Sequence, residues 1–366
     1  MAKKPKYEHG RTEEEILEWW KHHLDLSFSP NENAEVFSID TPPPYVSGFL
    51  HAGHAMGYIQ LDCIARYHRM TGSAVLFPFG YDNNGLPTER MVEQKYGGKV
   101  KLDREKFRKL CSQVTEDMIL SYEQSFTRLG ISADFDHAYT TISEDVQRFS
   151  QRSFLELYNS GQMERREETI DWCSTCDTAI ALSEIETTDS GQKRHDRCGT
   201  QIIQRRATMW FISLSNAEGI WNERGHELNW YPESNTKSKY LNWVNQIDRD
   251  WCISRQRLYG VPIPAWYCSD CNTPLVADEG SLPVDPVESS YPGDKCPNCE
   301  SHDIKPELDV MDTWMTSSLT ALINAKWREL DNEDWFRSVY PMTLRPQGYD
   351  IINNWLFYSI VKSQYH

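Results

Sequence analysis

Long apolar runs are missing from this sequence: no stretch approaches the roughly 20 residues needed to span a bilayer. Residues 1–6 are basic, but no apolar segment follows them, so they do not form a secretory signal peptide. Positive charge is scarce as well, with 38 Lys and Arg against 54 Asp and Glu and a net charge of −16. Such a chain repels nucleic acid at long range, so RNA must meet a local basic patch or a segment outside it. We expect a cytoplasmic protein with no membrane partner.

The length of 366 residues allows a large buried core and exceeds the usual size of one domain. Basic residues are concentrated in one run, which is interleaved with Asp103 and Glu105: Lys99, Lys101, Arg104, Lys106, Arg108 and Lys109. This alternation of charge favours a solvated helix face over a surface for RNA.

A short motif, His51-Ala-Gly-His54, follows the three prolines Pro42–Pro44 at a predicted helix start. Residues 35–40 alternate as a strand does, and apolar residues after position 55 recur at helical spacing. A helix start attracts phosphate, two imidazoles add donors, and Gly53 lets a flat ring approach the backbone. Taken alone, the four residues fit equally well a structural turn with two incidental histidines.

A second buried strand is predicted at Ala74–Gly80, followed by the polar loop 81–89. Strand, helix and strand in this order indicate a doubly wound parallel sheet of the α/β class, with ligands beyond the carboxyl ends of its strands. His51, His54 and Asp82 would lie at that edge. Further helices are predicted over 11–29, 101–130 and 143–160.

Cysteines recur in pairs with the spacing C-x₂-C, which offers two thiolates to one tetrahedral ion. The second set has two such pairs: Cys268, Cys271, Cys296 and Cys299. The first set requires a histidine as its fourth ligand: Cys173, Cys176, His195 and Cys198. Both predict structural zinc, since four protein ligands leave no position for water. The alternatives are free buried thiols and, for His195, an exposed histidine in a polar loop.

Near the end of the chain, a Gly turn precedes an apolar helix through residue 360. Gly348 and Asp350 at its start can seat a ribose, with the backbone close to the sugar and the carboxylate accepting from its hydroxyls.

Five stretches together resemble the class I aminoacyl-tRNA synthetases, and within them the archaeal type of valyl-tRNA synthetase. They occur in family order over nearly the whole chain: Pro42–His54, Gly80–Glu89, Arg249–Trp266, Met311–Ser318 and Arg345–Trp355. The resemblance implies a Rossmann-like nucleotide-binding sheet. It also implies a ligase that uses ATP and Mg²⁺ to activate valine or a similar amino acid and then charges tRNA.

The resemblance also implies roles for individual residues. His51 and His54 would contact the ATP phosphates, and Gly53 would leave room for adenine. Gly348 and Asp350 would hold the ribose. The amino-acid site would comprise Asp82 at the ammonium and Pro42, Pro43, Tyr259 and Trp314 around the side chain. In-line attack at phosphorus needs such positioning and charge stabilisation.

The chain departs from this family in three places. The Lys-Met-Ser-Lys-Ser loop that clamps the triphosphate is absent up to residue 366, and so is an anticodon-binding domain. The interval from Glu186 to Cys198 is too short for the family's editing domain, which a valine enzyme needs to remove threonine. Tyr259 stands where the family usually has Trp, which adds a hydroxyl to the pocket.

These departures leave two hypotheses. The chain is an amino-acid-activating module that receives the lysine loop and anticodon-binding part from a second chain, or it is a synthetase-like binding protein without catalysis. A paralogue for a different amino acid is a variant of the first. We expect three segments: 1–130, the first half of the catalytic domain; 131–306, a connective insertion with two zinc knuckles and no full editing domain; and 307–366, a return to the catalytic domain.

Overall fold

The computed structural model describes residues 7–30, 34–48, 50–214, 217–329 and 332–366. Its α-helices are α1 (His9–His23), α2 (Ala52–Met70), α3 (Leu86–Tyr96), α4 (Arg104–Arg128), α5 (Glu144–Asn159), α6 (Glu218–Glu227), α7 (Glu233–Val244), α8 (Thr313–Ser317), α9 (Thr320–Asn324), α10 (Glu333–Val339) and α11 (Phe357–Tyr365). Single turns of other helix types lie at Gly98–Leu102, Leu182–Glu184, Glu279–Ser281, Tyr349–Ile351 and Ile352–Leu356.

The strands are short apart from two. They are β1 (Val36–Ser38), β2 (Ala74–Leu76), β3 (Pro78–Tyr81), β4 (Asp134–Thr140), β5 (Met163–Cys173), β6 (Thr178–Ala179), β7 (Ile185–Thr187), β8 (Lys193–His195), β9 (Ile203–Ile212), β10 (Trp251–Cys252), β11 (Ser254–Arg255), β12 (Ala265–Cys268), β13 (Pro274–Val276), β14 (Ile304–Pro306) and β15 (Val310–Met311).

A parallel sheet is formed by the first strands of the chain. Strand β1 pairs with β2, β3 pairs with β4, and Ile39 forms a parallel bridge with Leu344. Because β2 runs almost directly into β3, the order across the sheet is Leu344, β1, β2–β3 and β4. Helix α2 connects β1 to β2, as parallel neighbours require. The predicted α/β class with a parallel nucleotide-binding type of sheet is confirmed.

An antiparallel ribbon of β5 and β9 projects from the middle of the chain and carries β6 and β10 at its sides. At its tip, residues 185–195 form the small hairpin β7–β8. A second antiparallel sheet has the order β13–β12–β14. Strand β4 lies beyond the boundary predicted at residue 130 yet joins the parallel sheet; the division into three segments stays a prediction.

The largest apolar cluster joins α5, the β5–β9 ribbon, β12 and the terminal helix α11, around buried side chains such as Trp210, Trp221 and Trp355. A second cluster, with Phe79 and Phe126, lies under the parallel sheet. Within the described ranges, no helix combines the length and the apolar character that crossing a membrane requires.

Helix α1 ends earlier than predicted, at His23 instead of residue 29. After it, the carboxylate of Asp25 accepts hydrogen bonds from the backbone and hydroxyl of Ser27, and this local turn competes with helix formation. The helices predicted over 101–130 and 143–160 are confirmed as α4 and α5.

Candidate active site

The start of α2 carries the two predicted histidines. His51 is the N-cap, and its Nδ1 accepts a hydrogen bond from the backbone N–H of Gly53 at 3.1 Å. The rings of His51 and His54 lie 3.9 Å apart between centroids. Partial burial and, secondarily, the charge of His51 lower the pKa of His54, so its neutral form dominates near pH 7. Two imidazoles therefore stand at the positive end of the helix dipole, where anions are stabilised.

Asp82 follows β3 at the carboxyl edge of the sheet and is 2% exposed. Its backbone is bridged to the Pro-rich segment, because its N–H donates to Pro44 and its carbonyl accepts from Val46. Thr141, at the end of β4, donates to its Oδ1 at 2.8 Å. Burial raises the pKa of Asp82 to about 7, against the opposing effect of the Thr141 hydrogen bond. A cation that entered here would favour the ionised carboxylate.

The loop after Asp82 brings two distant segments to it. Gly85 has a φ of 75°, and a Cβ at this position would lie 2.5 Å from the hydroxyl of Thr313. A Cβ on Gly260 would lie 3.2 Å from Oδ1 of Asn84. These close approaches place Trp314, the neighbour of Thr313, beside the Asp82 loop.

Two residues in and beside the Asp82 loop have buried polar atoms without hydrogen-bond partners. Both amide atoms of Asn84 and Nε1 of Trp314 are buried, and none has a hydrogen-bond partner among the described residues. Buried polar groups are almost always paired, so these unpaired ones are candidates for contacts with a ligand or water.

A chain of ion pairs from other segments lies near the Asp82 loop. The guanidinium of Arg255 lies 2.9 Å from Asp312 and 3.8 Å from Glu184, and that of Arg197 lies 3.7 Å from Glu184. Asp82 experiences the favourable charge of Arg197 and the unfavourable charge of Asp312.

Gly348 and Asp350 lie at the turn after Leu344. Because Leu344 bridges in parallel to Ile39, this turn and the segment after β1 leave the same edge of the sheet. Asp350 is exposed, and Lys239 lies close enough to feel its charge while donating to the carbonyl of Tyr349. The ribose position predicted here therefore opens to solvent on the edge that carries His51.

The predicted side-chain pocket is only partly brought together. Pro43 is buried, and the carbonyl of Pro42 accepts from Tyr58. Tyr259 is buried too, but its ring packs with residues of α3 and α4, such as Val92 and Phe107, and not in the cluster that contains Trp314. Its backbone N–H still binds Glu89 at 2.9 Å.

The first set of cysteine-pattern residues converges at the tip of the β5–β9 ribbon, with one ligand atom from each within 4.8 Å of every other. Sγ of Cys173 lies 3.4 Å from Sγ of Cys198, and Sγ of Cys176 lies 3.4 Å from Nδ1 of His195. Burial lowers the pKa of His195 to about 4, so the imidazole is neutral, as a ligand must be.

The second set, Cys268, Cys271, Cys296 and Cys299, converges in the same way beside β12. Sγ of Cys268 lies 3.4 Å from Sγ of Cys299, and Sγ of Cys271 lies 3.6 Å from Sγ of Cys296. After each of the four pairs, the next residue has positive φ: Asp177 (51°), Gly199 (68°), Asn272 (55°) and Glu300 (61°). Four identical turns and separations that one ion can span at about 2.3 Å per sulfur fit zinc at both places.

Several residues of this site were not anticipated from the sequence: Asn84, Thr141, Glu184, Arg197, Arg255 and Asp312. Asn84, Arg255 and Asp312 lie inside stretches that carried the resemblance, which was a usable signal. Arg197 and Thr141 become visible only when distant segments meet in space.

Comparison with known proteins identifies the family to which these features belong. A family model described as "tRNA synthetases class I (I, L, M and V)" matches residues 15–365. Valine–tRNA ligases of Methanocaldococcus jannaschii and Thermoplasma acidophilum are each 30% identical over 98% of the chain, and the matches cover 57% and 62% of those proteins. The chain thus spans less than two thirds of these relatives.

Two solved structures share the fold. The agnB2 LeuRS of Agrobacterium radiobacter K84, in a ternary complex with tRNA and LeuAMS, superposes with a TM-score of 0.81 at 18% identity, over 97% of this chain and 64% of that one. A Mycobacterium tuberculosis methionyl-tRNA synthetase with methionyl-adenylate gives 0.61 at 20% identity, over 90% and 54%.

The alignments also show a difference in length inside the matched region. The match to the M. jannaschii ligase runs over 505 positions against 366 residues here, so that relative has at least 139 residues without a counterpart in this chain.

Proposed function

Because the chain belongs to the class I tRNA synthetases of the I, L, M and V group, we propose that it activates valine or a similar amino acid with ATP for transfer to tRNA. The activation step joins the amino acid's carboxylate to the α-phosphate of ATP and releases pyrophosphate. The acyl group then passes to the terminal ribose of tRNA, in the cytoplasm.

The observation that carries this proposal is the pairing of two sites at one sheet edge. Asp82 is a buried carboxylate that a bound cation would keep ionised, and the histidine pair stands at a helix start, which attracts phosphate. An amino acid needs the first site for its ammonium group, and ATP needs the second for its phosphates.

We assign roles accordingly. His51 and His54 contact the phosphates, Gly53 gives room to adenine, and Gly348 and Asp350 hold the ribose. Asp82 binds the ammonium group, with the unpaired Nε1 of Trp314 and the prolines Pro42 and Pro43 near the substrate's side chain. Tyr259, whose ring packs with α3 and α4, contributes its backbone hydrogen bond to Glu89 and not a wall of the side-chain pocket.

Two metals belong to this proposal. Mg²⁺ enters with ATP and offsets the charge of the phosphates. Zinc is held by Cys173, Cys176, His195 and Cys198 and by Cys268, Cys271, Cys296 and Cys299, where it links loops that have little core of their own.

Amino-acid-dependent exchange of pyrophosphate into ATP tests the activation step, with L-valine, L-isoleucine, L-threonine and L-alanine compared at equal concentration. We expect exchange with L-valine to be fastest. His54→Ala should lower kcat while leaving the KM for ATP within about threefold, as for a group that acts mainly in the transition state. Equal loss in both constants would contradict the role given to His54.

A finer proposal concerns the two parts of the family pattern that these 366 residues do not contain, the lysine loop and the anticodon-binding domain. If a second chain supplies the lysine loop, the wild-type chain binds L-valine and ATP but exchanges pyrophosphate only when that chain is added. Exchange by the isolated chain would remove the need for a second chain. Binding of both ligands without exchange under either condition would instead favour a synthetase-like binding protein.

A further inference from the structure

Arg197 lies in the turn between His195 and Cys198, at the tip of the hairpin that the first cysteine cluster closes. Its side chain is 23% exposed and leaves the cluster towards the parallel sheet. Its Nη2 donates to the hydroxyl of Tyr45 at 3.3 Å, and its guanidinium lies 5.3 Å from the centroid of the Tyr45 ring. The hairpin thus contacts the Pro-rich segment directly, although the two are about 150 residues apart in the chain.

Tyr45 is in turn held against Asp82. The two residues form a parallel bridge, and the carbonyl of Tyr45 accepts a hydrogen bond from Tyr122 at 3.1 Å. With its backbone fixed on both sides, the remaining freedom of Tyr45 is the direction of its ring. Arg197 restricts that freedom, by the hydrogen bond to the hydroxyl and by lying close to the ring.

We propose that Arg197 is a positioning residue that holds Tyr45 beside Asp82 and so shapes the site for the substrate's ammonium group. This inference rests on the proposed function, since it assigns the ammonium group to Asp82. Glu184 and the arginine Arg90 orient Arg197 from the other side: Glu184 lies 3.7 Å from its Nε, and Arg90 donates to its carbonyl.

The charge of Arg197 adds a second effect. The charged or titratable groups that face Asp82 are Arg197, Asp312, Tyr45 and Tyr139. Of these, Arg197 alone is a cation, and it favours the ionised form of Asp82. Its removal should therefore raise the pKa of Asp82 and move the pH dependence of amino-acid binding upward.

The test is calorimetric binding of L-valine, without ATP, to the full chain and four variants. Arg197→Gln should weaken binding about tenfold, the size expected for a lost hydrogen bond to a charged group, and shift the pH midpoint upward. Tyr45→Phe removes the hydroxyl alone. In the double variant the effects should be less than additive, because both remove the same contact. Arg197→Lys keeps the charge and should restore the midpoint while leaving the affinity reduced.

The control is Arg194→Gln, on the same hairpin, where the exposed arginine contacts Gln192 and should not affect binding. Zinc content, measured by mass spectrometry, should match the wild type in every variant. If Arg197→Gln binds L-valine as the wild type does, with an unchanged midpoint, the inference is wrong while the proposed function stands. If the wild type binds no L-valine, the proposed function fails and this inference with it.

Discussion

The two cysteine clusters have the same knuckle turns but different surroundings. The first is buried except for Cys198, and it packs against Leu86, the first residue of α3. Two arginines of other segments donate to Cys176: Arg90 to its sulfur at 2.9 Å and Arg257 to its carbonyl. In the second cluster Cys299 is exposed, and Sγ of Cys271 lies 3.0 Å from the hydroxyl of Thr273, two residues along the same loop.

This difference indicates different consequences for the site. The first cluster contacts α3 and, through Arg197, Tyr45 beside Asp82, so we expect its loss to affect the proposed substrate site. The second closes the β13–β12–β14 sheet, whose inner residues Trp266 and Leu275 pack into the main core. It should matter for stability more than for binding.

The largest expected difference comes from removing one ligand of each cluster. Cys176→Ser should weaken L-valine binding by about a hundredfold, because several hydrogen bonds to charged groups depend on that knuckle. Cys271→Ser should lower the Tm but leave binding within about twofold, since distant sites act independently. Calorimetry and thermal unfolding measure both quantities.

Metal content serves as the control for this pair. The wild type should hold about two zinc ions per chain, and each variant about one, by native mass spectrometry. One ion in the wild type would remove His195 as a ligand. Equal loss of binding in the two variants would contradict the contrast between the clusters.

A second prediction concerns pH. Between pH 7 and 5, the affinity for L-valine should fall by up to about tenfold per unit, because Asp82, whose pKa is raised to about 7, must lose a proton to bind the ammonium group. Cys271→Ser should retain this profile, whereas Arg197→Gln should shift it. An affinity that is flat over this range would exclude Asp82 as the ammonium ligand.

The raised pKa of Asp82 also affects the stability of the fold. Stability should fall as the pH rises, whereas the affinity for L-valine should increase. A carboxyl whose pKa is higher in the folded state stabilises the fold below its unfolded value near 3.8, and this contribution is lost as the pH rises towards 7. Asp82→Asn should therefore have a higher Tm than the wild type at pH 8 and no difference at pH 4, while binding no L-valine. A lower Tm of Asp82→Asn at pH 8 would show that the hydrogen bonds of Asp82 stabilise the fold by more than the burial of its charge destabilises it.

Local patterns predicted much of this fold. The alternation at residues 35–40, the spacing after His54 and the C-x₂-C pairs each follow from neighbours in the sequence, and β1, α2 and the clusters are where those patterns place them. These features depend on periods of two to four residues. The basic run at 99–109, predicted to be a solvated helix face, is one only in part: Lys99, Lys106 and Lys109 are exposed, but Arg104 and Arg108 are half-buried and both bind the distant Asp285.

The parts that could not be predicted depend on contacts between distant segments. The direction of the Tyr259 ring is decided by α3 and α4, which lie more than 100 residues earlier in the chain. The contact of Arg197 with Tyr45 exists because the β5–β9 ribbon folds back over the Pro-rich segment. Neither leaves a periodic signal in the residues around it.

The smallest expected effect compares one cation beside each cluster. Arg90→Met removes the hydrogen bonds to Cys176 and to the carbonyl of Arg197, and it should weaken L-valine binding about threefold, the size expected for a net hydrogen bond. Lys295→Met removes only the exposed ion pair with Glu300 beside the second cluster, so neither binding nor Tm should change measurably. If Lys295→Met weakens L-valine binding as much as Arg90→Met does, the second cluster also affects the affinity of the substrate site. The distinction between a cluster that shapes the substrate site and one that supports the fold would then be wrong.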